Sequence, residues 1–210
     1  MNRFLKMIAA LLSVAAFVSL PDSSFGREVS SVDSISITAV LARDGSAAVT
    51  EVWNVEIYEG TEWYLVRNNL GDIEIKDFSV IGDGTDFINE GEWDIDRGIG
   101  GKAGRCGIVH KNDGVELCWG LGSYGHHSFT ASYTMTNAVK SLNDYDKLHL
   151  QMVSPGINPS PDEVTICIKA PVGLSDANTR IWGFGFEGTS AFSEDGSVVF
   201  QSTEPFSRRS

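Results

Sequence analysis

The chain has 210 residues, 28 acidic against 16 basic side chains, a net charge of −12 at pH 7 and 42% hydrophobic residues. A surface this acidic repels nucleic acid and anionic lipid headgroups, so a nucleic-acid-binding role is excluded on charge. The length suits one large or two small domains, and the acids are not gathered into runs, so they belong to a folded, soluble surface.

The first element is a targeting segment. Arg3 and Lys6 precede an almost wholly apolar Met7–Leu20, and Pro21–Gly26 follows with small residues at Ser24 and Gly26. This order predicts a secretory signal peptide over residues 1–26, cut between Gly26 and Arg27. The apolar run is short for a permanent span of roughly 30 Å of hydrocarbon. Residues 27–210 are then expected to form one extracytoplasmic domain, secreted or in the cell envelope, that could continue beyond residue 210.

Period-two alternation runs through that domain. Ile35, Ile37, Ala39 and Leu41 alternate with Ser36, Thr38 and Val40, and Asp44-Gly45 supplies a turn. Val49, Glu51, Trp53, Val55 and Ile57 then share one face, on which Glu51 is the odd carboxylate. Burying it uncompensated costs several kcal/mol by rough estimate, so it is expected to be ion-paired. Strands are also predicted over 63–69, 73–81, 129–136, 147–153, 164–170, 181–186 and 198–201. Within 73–81 the apolar parity slips by one, which predicts a β-bulge at Lys76-Asp77. Asp44-Gly45-Ser46 and Asp195-Gly196-Ser197 read as similar hairpin turns. No long window keeps a helical period. The fold expected is therefore all-β, an antiparallel β-sandwich of Ig-like general architecture.

Gly82–Gly104, rich in glycines and acids and without sustained alternation, is expected to be a long loop between strands, and loops of that length are usually functional or mobile. Asp94-Ile95-Asp96-Arg97-Gly98 opens like a calcium loop, but a third acid is missing and Arg105 stands where the closing Glu should be. Gly98–Gly104 superficially suggests phosphate cradling, yet Ala103 replaces the Ser or Thr such a loop needs. Neither a metal nor a cofactor is expected. Trp93 in this loop is the tryptophan expected to be exposed, and with Asp94 and Asp96 it forms the candidate ligand contact. Trp53 and Trp119 share parity with Val and Leu and are expected in the core. His126 and His127, adjacent on a strand, point to opposite faces and cannot easily share one metal. No catalytic signature is present.

Three cysteines are present, Cys106, Cys118 and Cys167. A hairpin with a three-residue Asn112-Asp113-Gly114 loop would pair Lys111 with Val115 and set Cys106 and Cys118 diagonally on one face. A register change or a distortion at Gly107 would then close a 106–118 disulfide in an oxidising compartment, with Cys167 left free; two free thiols are the alternative.

Asp44 to Trp53, an Asp-Gly turn running into Val-Thr-Glu, resembles the opening signature of a domain found in bacterial predicted membrane proteins, domain of unknown function twenty-two-oh-seven. Glu116 to His127 resembles the same family's central motif, and Tyr133 with Asp144-Tyr145-Asp146 fits the segment that follows. The resemblance implies an extracytoplasmic β-sandwich, usually followed by membrane helices, with membrane association expected only through a segment beyond residue 210. It carries no catalytic residue. The function expected is that of a non-enzymatic module binding a protein or glycan. The alternatives are a carbohydrate-binding module built on Trp93, and a hydrolase using unrecognised carboxylates.

Overall fold

The computed structural model describes residues 30–154, 157–185 and 187–206. The segment read as a signal peptide lies outside them, as does Phe186.

The alternating segments fold as strands: β1 (Ser31–Leu41), β2 (Ala47–Ile57), β3 (Glu62–Asn68), β4 (Ile75–Gly82), β5 (Thr85–Asp86), β6 (Ile88–Glu92), β7 (Arg105–Lys111), β8 (Gly114–Gly120), β9 (Gly125–Met135), β10 (Val139–Ser141), β11 (Asp146–Leu148), β12 (Pro161–Lys169), β13 (Gly188–Phe192) and β14 (Val198–Ser202). They form an eight-stranded sheet ordered β13-β14-β12-β1-β2-β9-β4-β5, a four-stranded sheet ordered β3-β8-β7-β6, and a β10-β11 ribbon. The two larger sheets face each other as an all-β sandwich. Most pairs are antiparallel, but β1 runs parallel to β12 and β6 parallel to β7.

Every second residue of β2, from Ala47 to Ile57, is buried. β9 pairs with it over its whole length and repeats the pattern. The inward rows of the two sheets meet in one core that includes Ile35, Ile37, Val49, Val80, Leu117 and Trp119. Ring contacts cross between the sheets, with Trp53 and Trp63 edge-on at 6.2 Å and Trp119 tilted against Phe129 at 5.5 Å. Trp53 and Trp119 are core residues, as their parity indicates.

The bulge on β4 falls where the parity slips. Lys76 faces Thr134 and Ser79 faces Ser132, so β4 spends one residue more than β9, and Asp77 takes a φ of 55° to absorb it. The two Asp-Gly-Ser turns share one chemistry. Asp44 Oδ1 accepts from Ser46 N at 3.0 Å and Ser46 Oγ at 2.7 Å, and Asp195 Oδ1 accepts from Ser197 N at 3.1 Å and Ser197 Oγ at 2.6 Å. The strand expected over 147–153 is confined to Asp146–Leu148, and the described residues of 181–185 are irregular.

Residues 82–104 are not the open loop expected of them. They hold β5, which adds to the eight-stranded sheet, β6, the edge strand of the four-stranded sheet, and one helical turn, α1 (Ile99–Lys102); from Trp93 to Lys102 the chain lies over the outer face of the four-stranded sheet. Glycine permits this close approach. A Cβ on Gly107 would meet the backbone of Gly91 and Trp93 at 3.1 to 3.3 Å, and one on Gly120 would lie 1.9 Å from the Lys102 carbonyl oxygen. One turn of helix is too short to gather the amides of an anion site.

The expected 106–118 disulfide is corrected. The β7–β8 hairpin closes through two residues, Asn112-Asp113, because Lys111 pairs with Gly114 rather than Val115. Cys106 therefore stands opposite Trp119 and Cys118 opposite Gly107, so the two thiols leave the hairpin on opposite faces. Both are free, as is Cys167.

Candidate functional site

Among the described residues, four polar clusters and two depressions stand out as places where chemistry or binding could reside. The most buried cluster is centred on Glu51, which is fully enclosed between the sheets. Parity turns Glu51 inward from β2, Arg67 inward from β3 and Tyr133 inward from β9, two residues along from Glu51's partner Ala131. Arg67 Nη2 is ion-paired and hydrogen-bonded to Glu51 Oε1. Tyr133 Oη donates to the same oxygen at 2.5 Å, and Trp53 Nε1 donates to Oε2 at 3.1 Å. Arg67 Nε donates to Tyr133 Oη at 2.9 Å and Nη1 to the Val66 carbonyl at 2.9 Å. Burial by itself would lower the guanidinium's pKa, but the charge of Glu51 and the contact with Tyr133 outweigh it and hold the pKa above the ordinary value. Burial, reinforced by Glu51, pushes the Tyr133 phenol up. The network matches the ion pair expected for Glu51, and both carboxylate oxygens accept hydrogen bonds, Oε1 from Arg67 and Tyr133 and Oε2 from Trp53.

A second cluster lies on the opposite face of the four-stranded sheet. Lys102, only 1% exposed at the end of α1, donates to Ile95 O at 2.8 Å and Thr61 Oγ1 at 3.1 Å, and its Nζ pairs with Glu62 Oε2 at 2.9 Å. Trp93 Nε1 hydrogen-bonds the same Glu62 oxygen, and the ammonium lies 5.9 Å from the Trp93 ring centroid. The expectation of an exposed Trp93 is corrected: it is 8% exposed, because the Trp93–Lys102 segment is a packed cover. Asp94 and Asp96 remain exposed. Asp94 Oδ1 accepts from Asp96 N at 3.0 Å and Oδ2 from Arg97 Nε at 3.2 Å, so the acidic turn bonds within itself while the Trp93 indole bonds to Glu62. The exposed tryptophan is Trp182, 69% exposed, with Phe184 beside it at 82%.

At the start of β9, His126 is exposed and lies 3.7 Å from Asp33. His127 turns inward, its Nδ1 2.7 Å from Asp83 Oδ2 and its Nε2 3.1 Å from Ser123 O. The two adjacent histidines thus face different partners. Among the described residues no three His, Cys, Asp or Glu side chains converge as metal ligands would. The fourth cluster is a salt-bridged trio at the sheet edge, where Glu90 pairs with Arg97 at 2.5 Å and Arg105 at 2.7 Å.

The two depressions flank the β3–β4 connection. One, of about 270 Å³, is lined by Arg67, Asn68, Asn69, Leu70, His149 and Gln151 among others. The other, of about 470 Å³, is lined by Ile75, Lys76, Ile108, His110 and Val115 among others, and both share Leu70 and Ile73. Sequence reasoning missed both depressions, the first of which forms a groove beside Leu70 and Ile73, because their walls come from residues 67–76, 108–115, Met135 and 149–152, which share no motif.

The family model described as "Predicted membrane protein (DUF2207) N-terminal domain" matches residues 31–207. No curated protein matches the chain. Among solved structures, yeast LTA4 hydrolase in complex with bestatin aligns at a TM-score of 0.54 and 11% identity, over 85% of this chain and 27% of that one. Native leukotriene A4 hydrolase from Saccharomyces cerevisiae aligns at 0.52 and 10%, over 85% and 28%. The chain spans about a quarter of the length of these structures, and the likeness is one of fold.

Proposed function

This chain belongs to the family of predicted membrane proteins described by that N-terminal domain, and from that premise we propose that it is an extracytoplasmic, non-enzymatic module that binds an extended segment of another polypeptide in the groove beside Leu70 and Ile73. The observation that carries the reading is the composition of that groove. Asn68, Asn69 and Gln151 offer amide donors and acceptors suited to a peptide backbone, while Leu70, Ile73 and Met152 offer an apolar floor for its side chains. No tryptophan, tyrosine or phenylalanine lines it, and such rings are what a sugar-binding surface stacks on.

The carbohydrate reading built on Trp93 loses support, since that indole is enclosed and bonded to Glu62. The non-enzymatic reading is supported by how the buried charges are used. Glu51 is neutralised by Arg67 and Lys102 by Glu62 within the fold, which leaves neither pair poised on a substrate. Extracytoplasmic placement rests on the basic, apolar and small-residue order of residues 1–26.

A displayed library of extended peptides, screened beside a glycan array, tests the proposal. Peptides should be enriched whose binding is abolished by Ile73→Asp and untouched by Trp182→Ser. Glycan binding with no peptide binding, or polysaccharide turnover lost on replacing one carboxylate, would overturn it.

A further inference from the structure

The segment between β12 and β13 carries the two most exposed large apolar side chains among the described residues, Phe184 and Trp182. Its base is built rather than loose. Asn178 Oδ1 accepts from Ser175 N at 2.9 Å and Thr179 Oγ1 at 2.7 Å, its Nδ2 donates to Gly173 O at 2.9 Å, and Leu174 N reaches across to Gly196 O at 2.8 Å. Beyond this base the uncharged run Ile181-Trp182-Gly183-Phe184-Gly185 carries two large rings, 69% and 82% exposed. Among the described residues no hydrogen bond or ring contact engages either one. Arg180, the nearest cation in sequence, is occupied by the carbonyls of Asp176 at 2.5 Å and Thr179 at 3.0 Å.

The topology places this run beside the end of the last described strand. Glu187 O accepts from Thr203 N at 3.0 Å, so Phe184 lies three residues from the point where the last strand ends. Phe206 N donates to Pro161 O at 3.0 Å, and Pro161 pairs with Val32, so the first and last described strands begin and end at the same end of the large sheet. The family model describes the N-terminal domain of a predicted membrane protein, and the last described strand ends at this end of the sheet.

We propose that Trp182 and Phe184 form an interfacial anchor that seats this domain on a zwitterionic phospholipid surface. Indole and phenyl rings partition into the headgroup region, where an apolar body meets carbonyls and water. The net charge of −12 directs the domain to neutral rather than anionic headgroups.

The full chain is mixed with phosphatidylcholine vesicles containing brominated acyl chains, and tryptophan emission is followed. Trp53, Trp93 and Trp119 are buried and Trp63 is packed against the core, so quenching reports on Trp182. Residues 1–26 contain no tryptophan and add no emission of their own, and the exported form without their apolar run should give the same quenched component. The expected result is a blue-shifted, quenched component that disappears in Trp182→Phe. Binding of the exported form should weaken about tenfold in the Trp182→Ser, Phe184→Ser double variant. Trp182→Tyr should retain most of the binding, and adding phosphatidylglycerol should weaken it. Vesicle-bound chain with unquenched emission, or a double variant that binds as the parent does, would overturn the proposal. So would tighter binding to anionic vesicles, or a concentration-dependent dimer that the double variant abolishes, since the rings would then serve a second copy.

Discussion

Two buried ion pairs grip the four-stranded sheet from its opposite faces, and both draw on β3. Arg67 points inward to Glu51, between two sheets whose long strands exclude water. Glu62, five residues earlier and of opposite parity, points outward to Lys102 beneath a cover made of the Trp93–Lys102 segment and its one helical turn. Glu51 has no exposed surface, whereas the Glu62 side chain keeps 22%. The comparison teaches that burial of a charge has different consequences in a closed core and under a cover. In the core, a carboxylate that loses its partner has no water to turn to. Under the cover, Glu62 can rehydrate by a small local opening.

The largest effect should follow from splitting the inner pair. Arg67→Ala leaves the Glu51 carboxylate uncompensated and should cost about 3–5 kcal/mol in urea unfolding, enough to unfold a marginal domain. Replacing the pair together with Glu51→Leu, Arg67→Met and Tyr133→Phe removes the charges and the hydroxyl at once. It should recover part of that loss, because a well-packed apolar set often equals a buried ion pair, while the Trp53 N–H, left without its acceptor, withholds the remainder. A triple variant as unstable as Arg67→Ala would show that the network, rather than the stranded charge, carries the stability.

The outer pair should behave more locally. Lys102→Met is expected to cost about 1–2 kcal/mol, since Glu62 keeps a route to water and Trp93 still donates to it. Gly120→Ala strikes the same cover through the backbone, because the new Cβ would stand 1.9 Å from the Lys102 carbonyl oxygen. Limited proteolysis or hydrogen exchange should show 88–104 opening in Gly120→Ala while the protection of β2 and β9 is kept. Equal loss of protection in both regions would mean that the cover and the core unfold as one unit.

The free cysteines distinguish the two regions directly. Cys106 stands on the inner face opposite Trp119, and Cys118 on the covered outer face. Burial pushes the Cys106 thiol up to about 11 and the Cys118 thiol up to about 12, so both should resist alkylation at neutral pH while Cys167, partly exposed, reacts first. Peptide mapping of protein purified without reductant should find no 106–118 linkage. In Gly120→Ala, alkylation of Cys118 should accelerate well ahead of Cys106. The reverse order would place the weak point inside the sandwich.

How far each region was legible in the sequence follows from the range of the signals. Glu51 declared itself by sitting on an apolar parity, and the need for a partner followed from the cost of burying a charge. The identity of Arg67 did not, because no local pattern couples β2 to β3 across the sandwich. The bulge at Lys76-Asp77 and both Asp-Gly-Ser turns were readable, being local backbone chemistry. The cover was misread because glycines and acids look like loop composition. Gly107 and Gly120 are in fact the sites where another backbone lies on the sheet, and nothing near them in sequence names that backbone. The cysteine pairing failed by one residue of hairpin register, which suffices to send two side chains to opposite faces.

The smallest effect extends the comparison to a pair open to water. The Asp83 side chain is 53% exposed against 11% for His127, so the pair is the solvated counterpart of Glu51–Arg67. Burial acts to raise the Asp83 pKa, but hydrogen bonds from Ser128 N and His127, with the charges of His127 and His126, outweigh it and leave the pKa below its ordinary value of 3.8. A carboxylate whose pKa is lowered on folding contributes stability above the unfolded value, and that contribution is lost as pH falls through the folded value. Asp83→Asn should therefore flatten the acid limb of the stability curve below about pH 4. With screening counted, the stability lost at pH 7 should be under about 1 kcal/mol. Urea midpoints of the parent and the variant measured from pH 7 down to pH 3 would test this. A gap that stayed constant across that range would assign the effect to the Ser128 hydrogen bond geometry rather than to the charge, and one as large as that of Arg67→Ala would remove the distinction between enclosed and hydrated pairs.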